Sequence, residues 1–373
     1  LSETIATDVL VVGAGIAGAG VGAELAGVLD VVLVEQESRP GHHSTGRSAA
    51  LFFQNYGNAA IRALSRASRP LFEAADPGLF PNPLLSPRGA LEVADEGSRA
   101  ALEALLVGSE GMRAITSDQA CAMVPALRRE CVHAAAYEAD AQDIDVAALH
   151  QGFLRKARAG GARLLTEAPL VGARPRSGGG WTVETKAATI EAEVIVNAAG
   201  AWADRVAQYC GVAPLGIQPM RRTIAVLPAP IGHDVSRWPL FGDAGEGWYA
   251  KPDAGRLLVS PGDEDPVEPQ DAFVDDMVLA EGLHRFEQAV DFPITRVERR
   301  WAGLRSFAPD RTPVAGFDRT APNFFWLAGQ GGYGIQTAPA LSKLAACLIE
   351  RVSVPSEVEA IVNDLSPDRF RNP

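Results

Sequence analysis

Basic residues are in the minority: Lys and Arg total 34 against 46 Asp and Glu, a formal net charge of −12. That balance argues against a nucleic-acid partner, which wants a basic face, and against docking on anionic lipid. Cysteine is scarce and dispersed. Cys121, Cys131, Cys210 and Cys347 form no C-x-x-C pair, so neither a disulfide framework nor a zinc knuckle is implied. Four reduced, mostly buried thiols fit a cytoplasmic protein. No apolar run reaches the ~20 residues of a membrane helix. The segment Leu1 to Asp8 is polar and acidic, without the basic-then-apolar pattern of a signal peptide. It opens on Leu and not Met, which suggests a trimmed start. Neither G-x-S-x-G nor H-E-x-x-H occurs, so hydrolase readings have no support.

What is present is ordinary globular material. A chain of 373 residues is enough for a large core and, by length, for two domains. Apolar residues make up 47% and charged residues 21%, which rules out a largely disordered chain.

The opening is the most legible part. Val9-Leu10-Val11-Val12 suits a strand buried on both faces. Gly13-Ala14-Gly15-Ile16-Ala17-Gly18 follows, and small residues continue through Ala26. A second strand, Val31 to Val34, ends in Glu35, 22 positions after Gly13. A lone G-x-G-x-x-G is weak evidence, but strand, turn, helix, strand and acid in this order make a dinucleotide site. Gly13 permits the tight turn, Gly15 lets backbone approach a pyrophosphate, and Gly18 lets helix and strand pack closely. The helix N-terminus faces the phosphates. Glu35 would accept hydrogen bonds from ribose hydroxyls and repel a 2′-phosphate, so NADP is disfavoured.

Later segments carry weaker patterns. Asp145 predicts a helix cap, with Val146, Leu149, Phe153, Leu154 and Ala157 on one face and Gly160-Gly161 as the stop. Strands are expected at Arg163 to Thr166, after the Gly178-Gly179-Gly180 turn at Trp181 to Glu184, at Val194 to Val196, at Arg256 to Val259 and at Phe324 to Ala328. A last helix is expected from Thr337 to Arg351, with Pro339 in its first turn, where its missing amide has no intrahelical partner. The dinucleotide-type pieces are split three ways. The expected organisation is therefore interleaved: 1–50, 144–215 and 296–373 in a Rossmann-like α/β domain that binds the dinucleotide, and 51–143 and 216–295 in an α+β substrate domain with a mixed or antiparallel sheet.

FAD and NAD share the fingerprint, so other segments must decide. Arg39 to Ala50 brings hydroxyls, a glycine and an arginine close to Glu35. Such a segment can wrap a pyrophosphate and a flavin edge, and a simple nicotinamide enzyme does not need it. Gly331, Gly332 and Gly334 precede the last helix. A helix start there would stabilise the anionic N1–C2 carbonyl region of reduced flavin. His42-His43 is a poor metal pair, because neighbours on extended chain point apart and no third ligand is suitably spaced. His150 and Cys347 fall on helices and read as packing residues. Arg305 sits among Trp301, Ala302, Gly303, Leu304 and Phe307. An arginine in so apolar a setting is a candidate for a bidentate clamp on a carboxylate. Arg222 is another candidate, with Arg221 beside it. Tyr249 and Tyr56 read equally well as packing residues.

The sequence resembles the FAD-dependent amine and D-amino acid oxidoreductases, and most closely the D-arginine-dehydrogenase-like flavoenzymes. The blocks that carry the resemblance are Gly13 to Gly18 with Glu35, GHHSTGRSAA at 41–50, NPLLSPR at 82–88 and DIDVAALHQGFLR at 143–155. VNAAGAW at 196–202, YAKPDAG at 249–255, WAGLRSF at 301–307 and GQGGYGIQT at 329–337 complete them. The resemblance implies a glutathione-reductase-like FAD domain and a substrate domain whose sheet covers the flavin. It implies non-covalent FAD contacts from Ile16, Ala17, Gln36, His43, Ser44, Thr45, Gly46, Arg47, Ser48 and Ala49. Further contacts are implied from Ala168, Ala199, Gly200, Trp202, Gly303 and Arg305, and from Gly331, Gly332, Tyr333, Gly334, Ile335, Gln336 and Thr337. Arg222 and Arg305 would hold the substrate carboxylate, Tyr249 would join them, Tyr56 would lie on a loop over the pocket, and the Gly332 carbonyl would accept from the substrate amine.

Relatives that take cationic side chains keep a carboxylate where this chain has Ala90, and a histidine and a threonine at Leu51 and Phe53. The pocket is therefore expected to be apolar, with medium or large apolar D-amino acids preferred and D-Arg and D-Lys poor. The reading is oxidative deamination of D-amino acids to 2-keto acids and ammonia by hydride transfer to flavin N5. The electron acceptor is left open between oxygen, a quinone and a carrier, and resemblance alone favours a dehydrogenase. The alternatives are oxidation of a secondary amine (sarcosine, glycine or D-proline type) or of a 2-hydroxy acid on the same scaffold. A non-catalytic nucleotide-binding module is a third reading, which requires bound nucleotide without reduction by substrate.

Overall fold

The apolar run after Asp8 lies at the middle of a parallel sheet in the computed structural model, which describes residues 4–371. Its parallel strands stand in the order Arg163–Leu165, Val31–Val34, Thr4–Val12, Thr189–Asn197, Ala321–Ala328. Numbered along the chain this is 3-2-1-4-5, the order of a doubly wound dinucleotide fold. Both faces are covered. Leu10, Val12, Val32 and Val34 join one core cluster, and Val9, Val11, Val31 and Leu33 join the other. Alternate residues therefore bury on opposite sides, which is why these strands read as unbroken apolar runs. Leu170–Pro175 and Trp181–Thr185 add an antiparallel hairpin to this sheet, as the three-glycine turn indicates.

The first helix, Ile16–Leu25, packs beneath the sheet with the last long helix and Val146–Ala159. Val146–Ala159 starts as expected: Asp145 accepts from the Ala148 amide at 2.8 Å, and Gly160 closes the helix. Asp145→Ala should cost about 1 kcal/mol, read as a lower urea midpoint with an unchanged slope. The last long helix begins earlier than expected, at Gly334, and runs to Glu350. Pro339 thus falls in its second turn, where it removes one bond of the helix ladder.

The second sheet has nine strands and is mostly antiparallel. Its centre runs Gln218–Pro228, Arg256–Ser260, Tyr249–Asp253, Leu240–Asp243, Ala90–Ala94, Ala134–Glu138. One face packs on the helix Asp276–Ala289 through Leu279, Leu283 and Phe286. The strand Arg299–Phe307 pairs with Gln218–Pro228 in this sheet. That differs from the expectation that 296–373 belongs wholly with the dinucleotide pieces: strand pairing carries 299–307 across, and the chain returns at Val314–Asp318. No helix of the described residues is long and apolar enough to cross a membrane.

Candidate functional site

Two glycines of the opening turn are dictated by close approach. Gly13 has φ +99°, and a Cβ there would sit 2.5 Å from the Ala198 carbonyl oxygen. A Cβ at Gly18 would sit 1.8 Å from the Gly13 oxygen. Gly15 begins the first helix without a side-chain cap of its own. Instead the Thr45 hydroxyl, from a distant loop, accepts from the Ile16 amide at 3.0 Å. Glu35 is buried, and its two carboxylate oxygens accept from the Ala14 and Glu37 amides at 3.0 Å. Each oxygen keeps acceptor capacity for a ribose hydroxyl.

A cleft of about 1730 Å³, its open mouth included, runs from this turn to the second sheet. Its lining takes in both the glycine turn with Glu35 and the arginines of the second sheet, so one cleft joins the dinucleotide end to the substrate end. Ala17, Gln36, His43, Ser44, Ser48 and Ala49 line it near the turn, with Ala168, Ala199, Gly200 and Trp202 along one wall. Gly303, Arg305, Gly331, Gly332, Gly334 and Ile335 line the other end. Two polar groups on this lining, the Ser306 hydroxyl and the Gln330 amide nitrogen, are buried without a hydrogen-bond partner. Unpaired buried polar atoms are costly, and both residues belong to the wall of the cleft.

Five expected contacts stand behind the lining and support it. Gly18 packs on Gly13. Gly46 closes a tight turn, its amide donating to the Gly41 carbonyl at 2.8 Å. Tyr333 packs edge-on against Tyr56. Gln336 is buried and spends its amide on the Phe53 backbone and on Ser65. The Thr337 hydroxyl donates to the Tyr333 carbonyl at 2.9 Å. Arg47 lines the cleft, but its guanidinium donates to the carbonyls of Ala302 and Ala272 and to Asp271. It braces the loop against the second sheet. The metal reading also changes in geometry: His42, His43 and Asp271 offer ligand atoms within 4.8 Å of one another. Asp271 is far from the histidines in sequence, so spacing could not show it. Arg47 pairs with the same carboxylate and already supplies the positive charge there.

At the second-sheet end, strand alternation separates two neighbours. Arg221 points to Asp263, Asp265 and Asp275. Arg222 faces the cleft, with one nitrogen 3.0 Å from Glu264 and its buried Nε unpartnered. Arg305 has no ion-pair partner among the described residues. It donates to the Tyr56 hydroxyl at 3.4 Å and lies flat against Gly332, where a Cβ would be 3.0 Å from the guanidinium. Burial opposes its charge, but Tyr56, Tyr249 and Glu246 around it hold it protonated. Burial also pushes the Tyr56 hydroxyl above its ordinary range, so Tyr56 is a hydrogen-bonding group and not a base. Tyr249 lines the cleft as well.

The apolar wall differs from expectation. Leu51, Phe53 and Ala90 do not line the cleft. Phe53 stacks on Tyr56 with ring centroids 5.8 Å apart and packs in one cluster with Ala90, which is fully buried. They stand behind the Tyr56 loop because Gln336 holds the Phe53 backbone. Sequence reasoning missed Arg205, Ser306 and Gln330 on the lining. It also missed Glu92, which alternation places on the same strand face as Ala90.

With this geometry in hand, the comparisons are specific. The profile of the family described as FAD dependent oxidoreductase matches residues 8–348. The chain belongs to that family. FAD is therefore its cofactor, and the glycine turn and Glu35 on the lining of the cleft fit it. Glycine oxidase of Geobacillus kaustophilus is 26% identical over 362 residues, covering 92% of this chain and 93% of its own length. Its crystal structure superposes with a TM-score of 0.82 over 94% of this chain and 96% of that one. A bovine FAD-dependent oxidoreductase domain-containing protein 1 is 27% identical over 176 residues. That match covers 43% of this chain and 36% of the bovine protein. The FAD-bound L-α-glycerophosphate oxidase of Mycoplasma pneumoniae shares the fold, with a TM-score of 0.83 at 19% identity over 93% of this chain and 95% of that one.

Proposed function

We propose that this FAD-dependent oxidoreductase oxidises D-amino acids to imino acids, which water hydrolyses to 2-keto acids and ammonia. The observation that carries the reading is Arg305, a deeply set guanidinium on the cleft wall with no anionic partner. A buried charge left alone is expensive, and a substrate carboxylate would complete it. Arg222 and Tyr249 line the same cleft, where they can join Arg305 in holding that carboxylate. Clamping the carboxylate leaves the Cα–H to be oriented toward the cofactor, where positioning lowers the barrier most. Bound FAD supplies the acceptor for the hydride. Tyr56 stays protonated, so we assign no side-chain base: the neutral amine is selected, and activity rises with pH as substrate ammonium loses its proton. The D configuration rests on the sequence blocks that resemble D-amino acid oxidoreductases.

The test is direct. Purified protein should be yellow, and D- but not L-amino acids should bleach it without oxygen. A colourless protein that FAD cannot reconstitute, or bleaching by L-amino acids alone, would sink the reading. The similarity to glycine oxidase favours a second reading, a small or N-substituted amino acid. Rapid bleaching by glycine, sarcosine or D-proline, with other D-amino acids inert, selects it. Turnover with a dye against turnover with oxygen separates dehydrogenase from oxidase.

A further inference from the structure

Glu92 is an ionisable group for which the clamp has no use. Among the described residues it has no hydrogen bond and no ion pair, and the charges that reach it are all acids: Glu246, Asp243 and Glu138. The residue keeps some accessible surface, and like Ala90 it stands just outside the lining of the cleft itself.

The sheet register places that space. Glu92 stands opposite Gly242, Gly242 opposite Tyr249, and Tyr249 opposite Ser260. Residues in one such row share a face. Glu92 therefore projects from the face on which Tyr249 lines the cleft, two strand spacings away, or about 9–10 Å between backbones. The residue between them has no side chain. A Cβ on Gly242 would lie 3.0 Å from the Tyr249 Cβ. On its other side Glu92 is opposite Ala136, again small.

The roof is the Tyr56 loop. Phe53 and Tyr56 pack in the cluster of Ala90 and Ala136. Glu138, opposite Ala90 in register, accepts from the Gln54 amide and binds the Asn55 side chain. Tyr56 is also the hydrogen-bond partner of Arg305. Glu246 acts electrostatically on Glu92, Tyr56 and Arg305 alike.

We propose that Glu92 closes the far end of the substrate pocket and pairs with a cationic group, an ammonium or guanidinium, on the substrate side chain. The proposal rests on the carboxylate clamp above. The acid expected at position 90 in enzymes for cationic substrates is thus supplied two residues further on, and the expected preference for apolar substrates is reversed. An apolar side chain would leave the Glu92 carboxyl desolvated and unpaired, whereas a cation completes it. Burial, with Glu246, Asp243 and Glu138 adding to it, pushes the empty carboxyl up to about 8. A bound cation favours its ionised form, so cation binding tightens as pH rises from 6 to 8.

The test compares D-lysine with D-norleucine, the same carbon chain without the terminal ammonium, on FAD-loaded enzyme. Wild type should favour D-lysine at least about ten-fold in kcat/KM for anaerobic flavin reduction. Glu92→Gln should cut that ratio about ten-fold or more with little effect on D-norleucine, and Glu92→Leu should reverse it. A readout without turnover is perturbation of flavin absorbance by 6-aminohexanoate against hexanoate, the same acid with and without the terminal ammonium and both without an α-amine. A wild type that prefers D-norleucine, or a ratio unmoved by Glu92→Gln in variants with full FAD, overturns the proposal and leaves the clamp standing. If neither amino acid bleaches the flavin and neither hexanoate perturbs it, the clamp falls and this proposal with it.

Discussion

Arg305→Leu should lower kcat/KM for the amino acid substrate by about 10²–10⁴ with FAD still bound. The estimate takes two charge-assisted hydrogen bonds to the substrate carboxylate at about 1.5–3 kcal/mol each. Arg305→Lys should recover only part, because an ammonium lacks the planar fork. Stopped-flow flavin reduction gives the rate, and the ratio of flavin to protein absorbance reports cofactor content. Wild-type substrate affinity in a fully flavinated Arg305→Leu protein would remove Arg305 from the clamp. The variant has good prospects of folding, since it removes an isolated charge and breaks no ion pair.

Gly18→Ala should produce protein with FAD affinity reduced about ten-fold or more, by a clash with backbone that has no side chain to yield. The new methyl would meet the Gly13 carbonyl oxygen at 1.8 Å, so the turn that faces the pyrophosphate must shift. Fluorescence titration of the apoprotein with FAD measures the loss. Gly172→Ala is the control, since a Cβ there meets nothing within 4 Å. Equal FAD affinity in both variants would mean that the turn does not set the binding geometry.

The first strand, turn and helix were legible because each residue type there answers one local demand. Asp145 was legible for the same reason: a cap is a property of a few consecutive residues. The start of the last long helix was not, because Tyr333 and the glycines before it resemble a loop until the turn closes on Thr337. Membership of 299–307 in the second sheet was invisible, since pairing with 218–226 depends on partners distant in the chain. In the site, the residue types of Arg222 and Arg305 were informative. Which of Arg221 and Arg222 faces the cleft needed the register. Phe53 and Ala90 were misplaced because Gln336 and Glu138 hold the Tyr56 loop from far away in sequence. Glu92 was overlooked although strand alternation alone puts it on the face of Ala90. Its importance comes from having no partner, a fact that only the folded chain contains.

The parallel sheet has a consequence for the order of synthesis. Its fourth strand ends at Asn197, and its fifth, Ala321–Ala328, arrives only after most of the second sheet has been made. Until residue 328 has left the ribosome, the Ile195–Asn197 edge lacks its permanent neighbour. The nascent chain must carry an open apolar edge through translation of more than a hundred residues. Long-range parallel pairing of this kind is slow and exposed to aggregation. Slower elongation or lower temperature during expression therefore acts on a partly built sheet, and truncation before residue 321 leaves that edge without its partner strand.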